Sequence, residues 1–130
     1  MTRGRLHHVE LWVPSLGRAE QSWGWLLTTL GYTEHQRWDA GVSWILDGTY
    51  VVVEQSPALA ADVHDRTAPG LNHLAFHGGT RDEVDRLVEA APAHSWTLLF
   101  ADKHPHAGGP DHYAAYLEDG DGYEVEVVAD

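Results

Sequence analysis

Two histidines and a few carboxylates define the chemistry open to this chain. His8 lies in RLHHVELW, His73 in GLNHLAFH, Glu54 closes YVVVE, and Glu124 and Glu126 lie in DGDGYEVEVV. The two histidine stretches echo each other: Leu, a variable residue, His, then apolar, variable, apolar, with His8 and His73 65 positions apart in a chain of 130. There is no cysteine, so thiolate nucleophiles, disulfides and Cys-type zinc sites are excluded. Two imidazoles with one or two carboxylates suit Mn(II), Fe(II), Co(II), Ni(II) or Zn(II), with positions left open for water or substrate. The groups converge if the opening and closing strands of the two repeats are neighbours in a curved sheet.

The elements that must position these groups follow from periodicity. Strand alternation puts His8, Glu10 and Trp12 on one face and Val9, Leu11 and Val13 on the other; it likewise puts His73, Ala75 and His77 opposite Leu74 and Phe76. His7 is expected on the face opposite His8, as a structural or exposed residue. His77 lies four residues, about 13 Å, along the strand from His73, too far to share one ion but on the same face and a candidate to line the pocket. After Pro14 and Ser15, the spacing of Leu16, Ala19, Trp23, Leu26, Leu27 and Leu30 predicts a helix that Gly31 terminates. Three strands follow, at 32–37, 41–46 and 50–55, with Asp47-Gly48 as a hairpin turn.

The second half repeats this order. A strand over 71–77 leads into Thr80, which forms a capping box with Glu83 and opens a helix with Val84, Leu87, Val88 and Ala91 on its apolar face. Strands are predicted at 96–100, 113–118 and 123–128. Between the first two of these lies ADKHPHAGGPDH, a loop whose histidines, His112 among them, could reach a ligand. The repeat gives a first module over 1–56, a linker over 57–69 and a second module over 70–130, within one domain by length.

Eight basic against twenty acidic residues give a net charge of −12, which disfavours nucleic acid, anionic membranes and polyanionic substrates. No apolar run or basic leader suggests a membrane span or export, so a soluble cytoplasmic protein is expected. Six Trp, five Tyr and two Phe supply aromatic surface for a core and for a small-molecule pocket.

The tandem strand-helix-three-strand modules, LHHVEL with His8, GLNHLAF with His73 and DGDGYEVE with Glu126 resemble the vicinal oxygen chelate superfamily of glyoxalases, bleomycin resistance proteins and extradiol dioxygenases. The closing segment resembles that family's Asp-Pro-Asp-Gly-x-x-x-Glu, with Gly120 where the family has proline. The resemblance covers essentially the whole chain. It implies an α+β fold of two tandem βαβββ modules, forming a curved mixed sheet around a metal-binding cup, and a homodimer.

It further implies His8, His73 and Glu126 as ligands of a divalent transition metal, with Glu54 as a fourth. Glu54 and Glu126 are the implied proton-transferring carboxylates. Tyr116, ten residues before Glu126, matches a substrate-contacting tyrosine. Glu10, Trp12, His77 and His112 are pocket candidates. The implied function is a metal-dependent isomerase, epimerase or lyase that chelates a small oxygenated substrate through two oxygens and moves a proton. Thiol transferases want cationic clamps, for which Arg37 and Lys103 are the candidates, and ring-cleaving dioxygenases usually have longer chains. The alternative the resemblance leaves is a metal-free protein that sequesters a cationic antibiotic, which the negative charge would suit.

Overall fold

The computed structural model describes residues 2–130 and divides into two compact units, Met1–Asp62 and Val63–Asp130. Each holds a four-stranded mixed sheet and an α-helix, the α+β class expected from the repeat.

In the first unit, β1 (His8–Trp12) precedes α1 (Leu16–Thr29), and β2 (Thr33–Trp38), β3 (Gly41–Leu46) and β4 (Thr49–Glu54) follow, in sheet order β1-β4-β3-β2. Ser15 starts the helix by accepting a hydrogen bond from the Arg18 amide at 3.2 Å. Gly31, at φ +101°, takes the left-handed conformation that stops it, and the Tyr32 amide returns to the Leu27 carbonyl. Ala19, Trp23, Leu26 and Leu27 are buried, as the apolar stripe requires, while Leu16 and Leu30 at its ends are half-buried. They are joined in the core by Val42 and Trp44 of β3 and the run Val51 to Val53 of β4, the two inner strands of the sheet. In β1, His8, Glu10 and Trp12 are exposed while Leu11 is buried, so the strand alternates as its sequence does.

The second unit runs β5 (His73–Gly79), α2 (Arg81–Ala90), a 3₁₀ turn (Ala91–His94), β6 (Thr97–Leu98), β7 (Ala114–Glu118) and β8 (Glu124–Ala129), in sheet order β5-β8-β7-β6. The capping box forms: Thr80 Oγ1 accepts from the Glu83 amide at 3.1 Å, and Glu83 Oε1 accepts from the Thr80 amide at 3.2 Å. A Cβ on Gly78 would lie 2.4 Å from Val127 Cγ1 and 2.7 Å from Val84 Cγ2, so only glycine lets α2 pack this closely on β5 and β8. The strand predicted over 96–100 shortens to two residues, because the chain turns at Phe100 with φ +54°.

Residues 55–72 contain no helix or strand, yet several of their polar groups are tied down. Asp65 Oδ1 accepts from the Thr67 amide at 2.9 Å and hydroxyl at 2.6 Å. Arg66 reaches two carboxylates of the sheet, Glu118 at 2.9 Å and Glu124 at 2.8 Å. Among the described residues no helix is long and apolar enough to cross a membrane.

Candidate active site

In both units the opening strand pairs in parallel with the closing one, and the register fixes which side chains meet. In the second unit His73 stands opposite Glu124, Ala75 opposite Glu126 and His77 opposite Val128. Antiparallel pairing with β7 puts Tyr116 directly across from Glu126. His73, Tyr116 and Glu126, all singled out by the sequence, therefore meet on one sheet face.

Glu126 is buried, with 7% of its surface exposed, and still makes polar contacts on both carboxylate oxygens. Oε1 lies 3.1 Å from His73 Nε2, and Oε2 is in close contact with His112 Nε2. The loop histidine thus reaches the strand carboxylate. Successive turns carry it there: the amides of Lys103 and His104 bond to Phe100, that of His106 to Lys103, that of Gly109 to His106 and that of His112 to Gly109. The loop is consequently folded on itself rather than open.

Burial first, and then the negative charge of Glu126 and a hydrogen bond to it, push the Tyr116 phenol above its usual range. It therefore remains a protonated donor at neutral pH. Its ring meets His73 edge-on at 6.1 Å and Phe100 edge-on at 5.6 Å.

His73 has an oxygen in front of each ring nitrogen. Nδ1 lies 2.6 Å from Asn72 Oδ1 and 3.7 Å from Glu124 Oε2, and Nε2 faces Glu126. The Asn72 amide cannot be turned round without loss, because its Nδ2 donates to the Arg66 carbonyl at 2.9 Å. A neutral imidazole has one N–H and can satisfy only one of these acceptors. Nδ1–H fits Asn72, which leaves the Nε2 lone pair aimed at a carboxylate oxygen. A second ring proton or a bound cation at Nε2 would resolve the conflict, and Asn72 is the kind of outer partner that stands behind a metal-bound histidine.

The first unit places its candidates differently. His8 stacks on Tyr50, with centroids 4.8 Å apart and planes 5° apart, and stands opposite it in the strand register. His7 does not face away as the alternation predicted: β1 begins only at His8, and His7 Nδ1 lies 2.9 Å from His8 Nδ1, although the residue is exposed as expected. His35 approaches the same tyrosine at 5.2 Å. Glu10 accepts the Trp12 indole N–H at 2.7 Å, on the exposed face.

Glu54 is opposite Trp12, so it lies two residues beyond the position that Glu126 holds relative to His73; Val52 occupies that position, opposite Glu10. The Trp38 indole lies over Gly41 and donates to Glu54 Oε1 at 3.0 Å. His77, at 92% side-chain exposure, lies 3.4 Å from Asp130, two residues along β5 from Ala75, the residue opposite Glu126.

A sequence model of the Glyoxalase/Bleomycin resistance protein/Dioxygenase superfamily matches residues 7–116. The chain belongs to that superfamily. The uncharacterized Bacillus subtilis protein YqjT is 44% identical over 126 residues, covering 95% of this chain and 98% of its own. A Bacillus halodurans crystal structure, provisionally named a glyoxalase, is 41% identical with a TM-score of 0.93, covering 98% of this chain and 97% of its own. A glyoxalase/bleomycin resistance protein from Albidiferax ferrireducens shares the fold at a TM-score of 0.75 and 20% identity, over 96% of this chain and 98% of its own.

Divalent metals are common among members of this superfamily. Among the described residues no three His, Asp or Glu side chains are gathered as a ready-made metal cluster. The second-unit donors nonetheless fit such an ion: an imidazole nitrogen and a carboxylate oxygen facing each other, with no hard-soft conflict and an outer partner for the imidazole. Sequence reasoning passed over Asn72, Tyr50 and Arg66. Asn72 carried a usable signal, an amide immediately before the candidate ligand. Arg66 carried none, since nothing in the linker's composition ties it to Glu118 or Glu124.

Proposed function

We propose that this superfamily member is a divalent-metal-dependent enzyme of the glyoxalase type, an isomerase, epimerase or lyase acting on a small oxygenated molecule. The observation that carries the reading is His73, whose two ring nitrogens both face oxygen acceptors, beside the buried carboxylate of Glu126. His73 Nε2 and Glu126 are the second unit's donors, and His8 is the first unit's ligand that the repeat and the family resemblance imply. Zn(II), Ni(II), Co(II), Mn(II) or Fe(II), when bound, would supply Lewis-acid polarisation of adjacent substrate oxygens.

The remaining roles belong to the chain itself. Glu126 can accept a proton from substrate carbon, being a carboxylate with only 7% of its surface exposed. Tyr116, kept protonated, can donate a hydrogen bond to a substrate oxygen or return the proton. Phe100 and the edge of Tyr116 offer an apolar wall to the rest of the substrate. We leave Glu54 out of the proposed donor set, a choice that its register and its bond to Trp38 support. A homodimer in the cytoplasm belongs to the same reading.

Elemental analysis of the full chain, purified without chelator and then offered zinc, nickel or cobalt, tests it. Near-stoichiometric metal in the wild type, lost in His73→Ala, is the expected result. A wild type that takes up none of these ions, yet binds a cationic glycopeptide drug, would replace the enzyme with a sequestering protein.

A further inference from the structure

The geometry points to His112 as a positioning residue for Glu126, one that sets the affinity of the metal site without being a ligand; the inference rests on the reading of His73 and Glu126 as donors. A carboxylate has two oxygens and can rotate, so a donor that must present one oxygen to an ion gains from having the other held. His112 Nε2 takes Oε2 in close contact, which leaves Oε1 on the side facing His73 Nε2. His112 is absent from the repeat and from the strand alternation; it reaches Glu126 from the loop between β6 and β7.

That loop is built to keep it there. Gly108 has no room for a side chain: a Cβ would lie 2.6 Å from His112 Cδ2 and 2.6 Å from the Tyr116 hydroxyl. The next residue, Tyr113, donates its hydroxyl to Asp85 of α2 at 2.6 Å, and Arg81 of α2 lies over its ring at 4.8 Å. His106 meets Tyr113 edge-on at 5.7 Å, and its Nδ1 is 3.3 Å from the His112 carbonyl. The loop around His112 is thus anchored through α2 by Tyr113 and packed closely at Gly108. Outer partners of this kind are worth roughly 10- to 100-fold in metal affinity.

The test is competition for zinc between the full chain and a coloured chelator, for wild type, His112→Ala and His112→Gln, with circular dichroism and melting temperature recorded on each. His112 is part-exposed, so its removal should leave the fold intact. His112→Ala should bind zinc about 10- to 100-fold more weakly, and His112→Gln, whose amide N–H can still reach Oε2, should recover most of the loss. Equal or tighter binding by His112→Ala would overturn the inference, as would a glutamine variant as weak as the alanine one in a folded protein. A wild type that binds no zinc would overturn both this and the proposed function, whereas a zinc-binding wild type with an indifferent His112→Ala overturns this alone.

Discussion

In the β1/β4 pair the residue opposite the second position after the histidine is Val52; in the β5/β8 pair it is Glu126. The same comparison one step back sets Tyr50 against Glu124, and the residue preceding each histidine is His7 in one unit and Asn72 in the other. The first unit therefore surrounds its histidine with rings, and the second surrounds its histidine with oxygens. On the proposed reading, a duplicated scaffold has kept its backbone register and divided the work: one copy carries the carboxylate chemistry, and the other offers an imidazole on an aromatic platform. Sharing a fold position did not require sharing a side chain, because the register is held by backbone hydrogen bonds and by valines on the core face.

The sharpest way to break this comparison is to remove the group that separates the units. Glu126→Gln preserves shape and the capacity to accept a hydrogen bond but deletes the negative charge. Zinc affinity should fall by more than about 100-fold, beyond the range of outer-partner substitutions. Chelator competition would read it, and a loss below tenfold would show that the second unit is not the chemical half.

The converse substitution moves the carboxylate to the first unit. Val52 is 4% exposed in a strand flanked by two others, so Val52→Glu buries a charge with no partner and should cost about 3 kcal/mol or more in denaturant unfolding without metal. Part of that loss should return on adding zinc, because the new carboxylate takes the register position that Glu126 has beside His73. A loss unchanged by zinc would mean that the two positions are equivalent in the backbone only.

The units differ at the entry to the closing strand as well. Thr49 stands there in the first and Tyr123 in the second, whose ring stacks on His64 with centroids 4.2 Å apart. Burial, and then Asp119 and Asp121, push the Tyr123 phenol from 10.0 up to about 12. A phenol that ionises later in the folded than in the unfolded chain stabilises the fold fully below pH 10. The contribution disappears as pH rises from about 10 to 12, a loss on the order of 2–3 kcal/mol. Denaturant midpoints across that range should fall less steeply in Tyr123→Phe; identical slopes would refute the assignment.

Much of this architecture was legible because it depends on periodicity. The alternation of HVELW, the stripe from Ala19 to Leu27 and the Thr80/Glu83 cap are local patterns, and the structure holds each of them. Glu126 was singled out by the segment DGDGYEVE and His73 by the repeat, and the strand pairing brings the two side chains together. Register was not legible. Glu54 ends an apolar strand as a metal ligand might, but a shift of two residues is one full pleat repeat, about 7 Å, and sequence spacing alone does not count pleats across unequal turns. His112 could be named but not placed, since a turn-rich loop has no period to say which of its histidines points inward. Arg66 was invisible because its partners Glu118 and Glu124 are more than fifty residues away.

The smallest effect is expected at Glu54, and it decides how far the division of work extends. Its carboxylate is half-buried and accepts the Trp38 indole N–H across Gly41. Glu54→Gln retains an oxygen for that bond, so unfolding free energy should change by no more than about 1 kcal/mol. Zinc affinity should stay within about twofold of wild type, since the residue stands a full pleat repeat beyond the donor position. Trp38→Phe would report on the same contact from the other side, freeing the carboxylate without removing it. If Glu54→Gln weakened zinc tenfold while leaving stability untouched, the glutamate would be a ligand after all. The first unit would then contribute a carboxylate of its own from one pleat repeat further along β4, and the two halves of the molecule would be chemically closer than their registers indicate.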